Sequence, residues 1–145
     1  MKPRATRADY AWFCDMPTRW MDNDVYGHVN NVIYYSWFDT AVARFLLDLG
    51  VVEGPAAPEI GVVVETQCRY LGPIAFPDAV TIGLRVERIG TTSIRYGVAA
   101  FRGDEPTLRA EGHFVHVYVA RDRQDQPVPL PELLRSRAAR YIKPA

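Results

Sequence analysis

An α+β domain, with one long helix laid on an antiparallel β-sheet, is the fold class that this 145-residue chain predicts. Three observations carry that expectation. Apolar residues recur every four positions, at Ile33, Trp37, Ala41, Phe45 and Leu49, between an Asn30-Asn31 pair and Gly50. Four later runs, at 59–70, 79–89, 93–101 and 108–120, are rich in Val, Ile, Tyr and Thr and are parted by turn residues. With 48% hydrophobic and 23% charged residues, a chain of this length can bury a core without disulfides or a metal. One domain over residues 1–145 is expected, with a short polar segment at 1–9 and a proline-rich tail carrying a short helix within 121–145.

The elements follow in order. Between 10 and 20, Trp12, Cys14, Met16 and Trp20 fall on alternate positions, which reads as a strand, and Pro17 marks a bulge or an edge in it. In the helix, Tyr34, Phe38, Val42 and Leu46 widen the apolar stripe, and Ser36, Thr40, Arg44 and Asp48 form the outer one. Asn30 or Asn31 supplies the N-cap and Gly50 the left-handed stop, giving an element of roughly 27–30 Å. A Gly/Pro/Ala-rich connection at 52–58 leads into the four strands, read as an antiparallel meander. The proline-rich stretch 71–78 is a loop, Gly103-Asp104-Glu105 a hairpin turn, and 132–141 the short helical piece. No internal repeat is present.

Chemistry concentrates in Arg19-Trp20-Met21-Asp22-Asn23-Asp24-Val25-Tyr26-Gly27-His28-Val29-Asn30-Asn31. It sets a carboxylate in a turn just before a helix start, where unpaired backbone N–H groups and a partial positive charge suit the oxygen of a reacting carbonyl. By itself, an Asp before a Gly turn more often satisfies local backbone donors. Asp22, two residues earlier, reads as structural, facing Arg19.

The pattern Asp-x-Asp-x-x-Gly-His-Val-Asn-Asn before an aromatic-rich helix resembles the hotdog-fold acyl-CoA thioesterases of the 4-hydroxybenzoyl-CoA thioesterase type. Tyr70-Leu71-Gly72-Pro73-Ile74-Ala75-Phe76-Pro77-Asp78 and Pro127-Val128-Pro129-Leu130-Pro131 resemble further recurrent pieces of that family, so the likeness spans nearly the whole chain. The resemblance implies an antiparallel sheet wrapped around one long central helix. Two subunits then pair to form the working unit, dimers commonly assemble into homotetramers, and the active sites lie at the dimer interface. It implies Asp24 as nucleophile or general base and the backbone N–H at about Asn31 as oxyanion donor. Gly27 permits the tight turn and a close backbone approach, and His28 either polarises the carbonyl or bonds the neighbouring loop. A second branch of the family carries its carboxylate on the helix, which makes Asp39 the alternative; the Gly-His-Asn context favours Asp24. The coenzyme A groove falls near Arg88, Thr91 and Ser93, where ordinary surface roles compete. Tyr34, Trp37 and Phe38 either shape the acyl pocket or are simply core.

The implied function is hydrolysis of an acyl-CoA to free acid and coenzyme A, with no cofactor beyond the coenzyme A of the substrate. Two other readings stand beside it: hydration of an acyl thioester by an Asp/His pair, and a non-catalytic acyl-thioester-binding module. Lys plus Arg balances Asp plus Glu at 17 each, so no nucleic-acid or membrane partner is expected. The basic N-terminus opens no apolar run of signal-peptide type, which reads as a cytoplasmic protein. Cys14 and Cys68 match no metal spacing and read as buried free thiols. His113 and His116, three apart in a strand, point to opposite faces, so no metal site is expected there. A Cys68–His nucleophilic dyad lacks any surrounding motif. The acyl group is open at this point.

Overall fold

The structure, a computed structural model, describes residues 4–51 and 55–145. The first three residues of the expected segment 1–9, and 52–54 of the expected connection 52–58, lie outside the described residues. The elements in order are β1 (Trp12–Pro17), α1 (Asn31–Asp48), β2 (Glu59–Tyr70), β3 (Ala79–Ile89), β4 (Ser93–Arg102), β5 (Leu108–Ala120), β6 (Arg123–Pro127) and α2 (Glu132–Ala138).

The four-residue apolar spacing produces the 18-residue helix α1, capped where expected. Asn30 accepts the Val32 N–H on its side chain at 3.1 Å, and Gly50 closes the far end at φ +72°. Tyr34, Trp37, Phe38, Ala41, Val42, Phe45 and Leu46 are buried on one side, while Ser36, Thr40, Arg44 and Asp48 are exposed on the other. The helix meets one parity of the sheet: Ile82, Leu84 and Val86 of β3, Tyr96 and Val98 of β4, and Phe114 and Tyr118 of β5 join it in a single core. This is the helix against an antiparallel sheet that the sequence predicts. On the outer face Tyr10, Ala99, Phe101 and Leu108 form a smaller apolar cluster.

All pairings in the sheet are antiparallel, in the order β1-β3-β4-β5-β2 with β6 beside β5. The expected meander therefore holds for β3, β4 and β5 but not for β2, which crosses to the far side of β5. A hairpin needs a tight turn, and 71–78 instead carries Pro73 and Pro77 and accepts the Val29 N–H at the Ile74 carbonyl, 2.7 Å. The chain is led past the start of α1 before it enters β3. Gly112 lets β2 lie close on β5, since a Cβ there would sit 1.9 Å from the Gln67 carbonyl oxygen.

The first strand is shorter than the expected 10–20. It stops at Pro17, the Thr18 hydroxyl donates to the Asp78 carbonyl at 2.6 Å, and Trp20–Asp22 form one 3-10 turn. Trp20, counted in the apolar alternation, is 77% exposed. The strand β6 was not expected, because its Arg-Gln-Asp-Gln-Pro sequence has no apolar alternation; only its pairing with Val119 and Ala120 makes it a strand. The short helix comes as expected, α2 followed by a 3-10 turn at Ala139–Tyr141.

Candidate active site

The loop between the 3-10 turn and α1 is itself a miniature hairpin. Asn23 and Val29 bridge as antiparallel neighbours, the Asp24 N–H donates to the His28 carbonyl at 2.9 Å, and the Gly27 N–H donates to the Asp24 carbonyl at 3.0 Å. That is a three-residue connection whose last residue takes the left-handed conformation, and Gly27 holds it at φ +79°. One oxygen of the Asp24 carboxylate accepts the Tyr26 N–H at 2.9 Å, which sets its rotamer and leaves the second oxygen without a partner among the described residues.

Three supports hold this hairpin still. The Asp22 carboxylate, 1% exposed, accepts the Arg19 backbone N–H at 2.8 Å and the Arg19 guanidinium at 2.9 and 2.8 Å. Asp22 thus has the structural role expected of it. Its carbonyl accepts the Asn30 N–H at 2.8 Å, and the Asn23 side chain accepts the Phe76 N–H at 3.0 Å. At the helix start, Val32 is capped by the Asn30 side chain and the Ile33 N–H donates to the Asn30 carbonyl at 3.0 Å. The Asn31 N–H is left free among the described residues, with the helix dipole behind it.

Asp24, Gly27 and Asn30 line one open cavity of about 680 Å³, together with Trp20, Met21 and Tyr26. Its rim is apolar, with Met21 and Tyr26 largely exposed and Trp20 edge-on to Phe76 at 5.9 Å. His28 belongs to the same hairpin through its main-chain carbonyl but does not line the cavity. Asp39 is exposed, about two turns along α1 from Asn31, and does not line the cavity. Arg88, Thr91 and Ser93 sit at the opposite end of β3 and β4, roughly 30 Å along the strands from Ala79. There the Thr91 carbonyl accepts the Leu130 N–H at 3.0 Å and the Arg135 guanidinium at 3.2 Å. Within one chain they do not meet Asp24.

Tyr34 and Trp37 were expected as pocket or core, but Tyr70, which joins them under the helix start, was not. Tyr70, at the end of β2, packs edge-on to Tyr34 at 5.1 Å, and Tyr34 leans on Trp37 at 5.0 Å. Burial pushes the Tyr34 phenol up to about 12 and the Cys68 thiol up to about 11. Tyr34, Trp37 and Phe38 are all part of the core. Cys68 is half-buried against it, not fully buried as expected, while Cys14 is buried. A Cys68–His dyad does not form. The neighbour of Cys68 on β5 is Gly112; His113 lies on the outer face with Glu65 at 3.3 Å, and His116 pairs with Val63, five residues back along β2. A second cavity, about 780 Å³ on the outer face, is lined by charges already paired to one another, Arg85 with Glu87 at 3.0 Å and Arg95 with Glu87 at 3.2 Å. No described helix is long and apolar enough to cross a membrane.

Known proteins with this geometry point one way. The family model described as "Thioesterase superfamily" matches residues 26–109. The PA5185 protein of Pseudomonas aeruginosa strain PAO1 is 43% identical, covers 99% of each chain and superposes with a TM-score of 0.93. The PA2801 protein of Pseudomonas aeruginosa is 32% identical over 86% of this chain and 95% of its own, with a TM-score of 0.79. An acyl-acyl carrier protein thioesterase of Arabidopsis thaliana, the chloroplastic ATL3, is 23% identical over 89% of this chain and 68% of its own length.

Proposed function

The chain belongs to the thioesterase superfamily and is a thioester hydrolase, and from that premise we propose that it cleaves acyl-CoA with Asp24 as the reacting carboxylate and the Asn31 N–H as the oxyanion donor. The observation that carries this reading is a carboxylate on the cavity wall with one oxygen locked and one unbonded, seven residues before an unbonded helix N-terminal amide. Hydration would draw on the same two groups but also on an Asp/His pair, and His28 does not line the cavity, while passive binding needs no reacting carboxylate.

The chemistry asks little more. The acyl carbonyl oxygen takes the Asn31 N–H, and negative charge grows on that oxygen as the carbonyl carbon is attacked. Attack comes either from the free Asp24 oxygen, giving an acyl anhydride that water then opens, or from a water whose proton Asp24 accepts. In both routes the C–S bond breaks, the thiolate leaves and is protonated, and the acid is released. A thiolate departs without a strong acid behind it, so His28 is not required as a proton donor.

Two copies of the chain form the working unit in this proposal. The support is β2, which ends the sheet with 12 residues, Val63 and Val64 well exposed, and nothing on its free side among the described residues. If Arg88, Thr91 and Ser93 hold the coenzyme A, they must come from the second copy, because within one chain they do not meet this Asp24. The test is thiol release from aryl-, short- and long-chain acyl-CoAs, and from the same acyl groups on acyl carrier protein, by wild type and Asp24→Asn. Turnover that falls about a hundredfold or more in the variant supports the assignment. Equal activity removes Asp24 from it and turns attention to Asp39. Cleavage of the carrier-protein substrates alone would replace coenzyme A by the carrier.

A further inference from the structure

We propose that Tyr70 is a positioning residue for the oxyanion-holding amide: its hydroxyl fixes the first residue of α1 and, through it, the direction of the Asn31 N–H. This deepens the hydrolytic reading above and rests on it. Tyr70 is the last residue of β2, 39 positions from Asn31, and its hydroxyl donates to the Asn31 carbonyl at 2.9 Å. A carbonyl in the first helical turn accepts the N–H four residues on. The phenol adds a second bond, from a different element.

Two peptide planes meet at the Asn31 Cα. The plane before it carries the N–H at issue, and the carbonyl of that plane, on Asn30, accepts the Ile33 N–H at 3.0 Å. The plane after it carries the Asn31 carbonyl, held by Tyr70. With both planes anchored, rotation about the Cα between them is restricted and the free N–H keeps one direction. Oxyanion stabilisation depends on that direction, because the donor must already aim at the oxygen when charge develops.

The anchor is itself fixed. The Tyr70 ring stands edge-on, at 88°, to Tyr34, which is 3% exposed and part of the core. Tyr70 is 45% exposed, so water could satisfy its hydroxyl; the bond to Asn31 exists because β2 delivers the ring there. Desolvation, together with the neighbouring Cys68 thiol, moves the phenol pKa upward, so the donated proton stays in place at every pH at which the protein would work.

Tyr70→Phe removes the hydroxyl and keeps the ring against Tyr34. It is to be compared with wild type and Asp24→Asn on the best acyl-CoA of the panel, each assayed well below its own melting midpoint. Loss of aim alone lowers kcat about tenfold and leaves KM within twofold, since the bond serves the transition state and not substrate docking. The backbone amide resonance of Asn31 shifts in the same variant. An unchanged kcat with inactive Asp24→Asn overturns the role of Tyr70 and leaves the hydrolytic assignment standing. A lower melting point with unchanged kcat overturns it too, because a bond that merely docks β2 on the helix acts on stability. Full activity in Asp24→Asn removes the assignment and this inference together.

Discussion

Asp22 and Asp24, two residues apart, have opposite circumstances: Asp22 is enclosed and takes three bonds from Arg19, whereas Asp24 borders an open cavity and spends one oxygen on the Tyr26 N–H. Asp22 closes the 3-10 turn Trp20–Asp22 while Asp24 opens the hairpin that follows, so the two belong to different local structures, and the enclosed carboxylate supports the turn that presents the open one. The same residue type therefore serves shape in one place and reactivity in the other.

Substitutions should separate the two. Asp22→Asn loses charge-assisted bonds to a buried acceptor and costs about 2–3 kcal/mol of folding stability. Asp24→Asn leaves the Tyr26 bond possible and costs under about 0.5 kcal/mol. Urea unfolding of both variants measures the contrast. Equal losses would mean that Asp22 does not carry the turn.

Gly27 is required for its backbone rather than for room. A Cβ built there meets nothing within 4 Å, yet φ is +79°. Gly27→Ala should cost about 1 kcal/mol from the left-handed conformation alone, and Gly27→Asn clearly less, because Asn enters that region more readily. Both are read by thermal melting. A tolerated Ala would indicate that the turn had relaxed to another form, and the Asp24 carboxylate with it.

How much of this was legible follows from how local each cause is. A cap at Asn30 or Asn31, the stripe of α1 and the stop at Gly50 lie within one helix and were plain in the spacing, which left only the choice between the two asparagines to the structure. Asp22 facing Arg19 was legible for the same reason, being three residues away. Trp20 misled the alternation because Arg19 and Asp22 close a turn that periodicity does not register. The crossing of β2 depends on a partner far along the chain, and so does the Tyr70 hydroxyl on Asn31, whereas β6 folds back on the neighbouring end of β5 and was hidden because its sequence is polar throughout. A tyrosine at a strand end carries no sign of the carbonyl it will meet.

Cys68 gives a prediction in pH. Burial raises its thiol from 9.0 to about 11, because the thiolate loses hydration in the fold. The folded state therefore favours the protonated form, so this group's contribution to stability is complete below pH 9 and is lost as pH rises from 9 through about 11. Alkylation by iodoacetamide, located by peptide mapping, should leave Cys68 largely unmodified in native protein at pH 8 and modify it steeply only above about pH 10. Rapid labelling at pH 8 would show an activated thiol and reopen a nucleophilic role for it.

The free edge of β2 gives the last. Its 12 residues exceed the usual strand length, and β5 occupies one side only. A long edge with exposed Val63 and Val64 invites pairing, and a charge placed there opposes it. Val64 sits at a register shift, where Val63 and Glu65 face successive residues of β5, so its side chain takes no part in the regular pairing with β5. Val64→Glu should therefore fold with little loss, while two such carboxylates brought together across the paired edge repel. Light scattering is expected to give at least twice the chain mass for wild type and the mass of one chain for the variant. Activity should fall with assembly, because Tyr70 ends the same strand and Asn31 depends on its placement. A monomeric variant with wild-type kcat would make the single chain sufficient, and a wild type that is already monomeric would remove the second copy from the proposal.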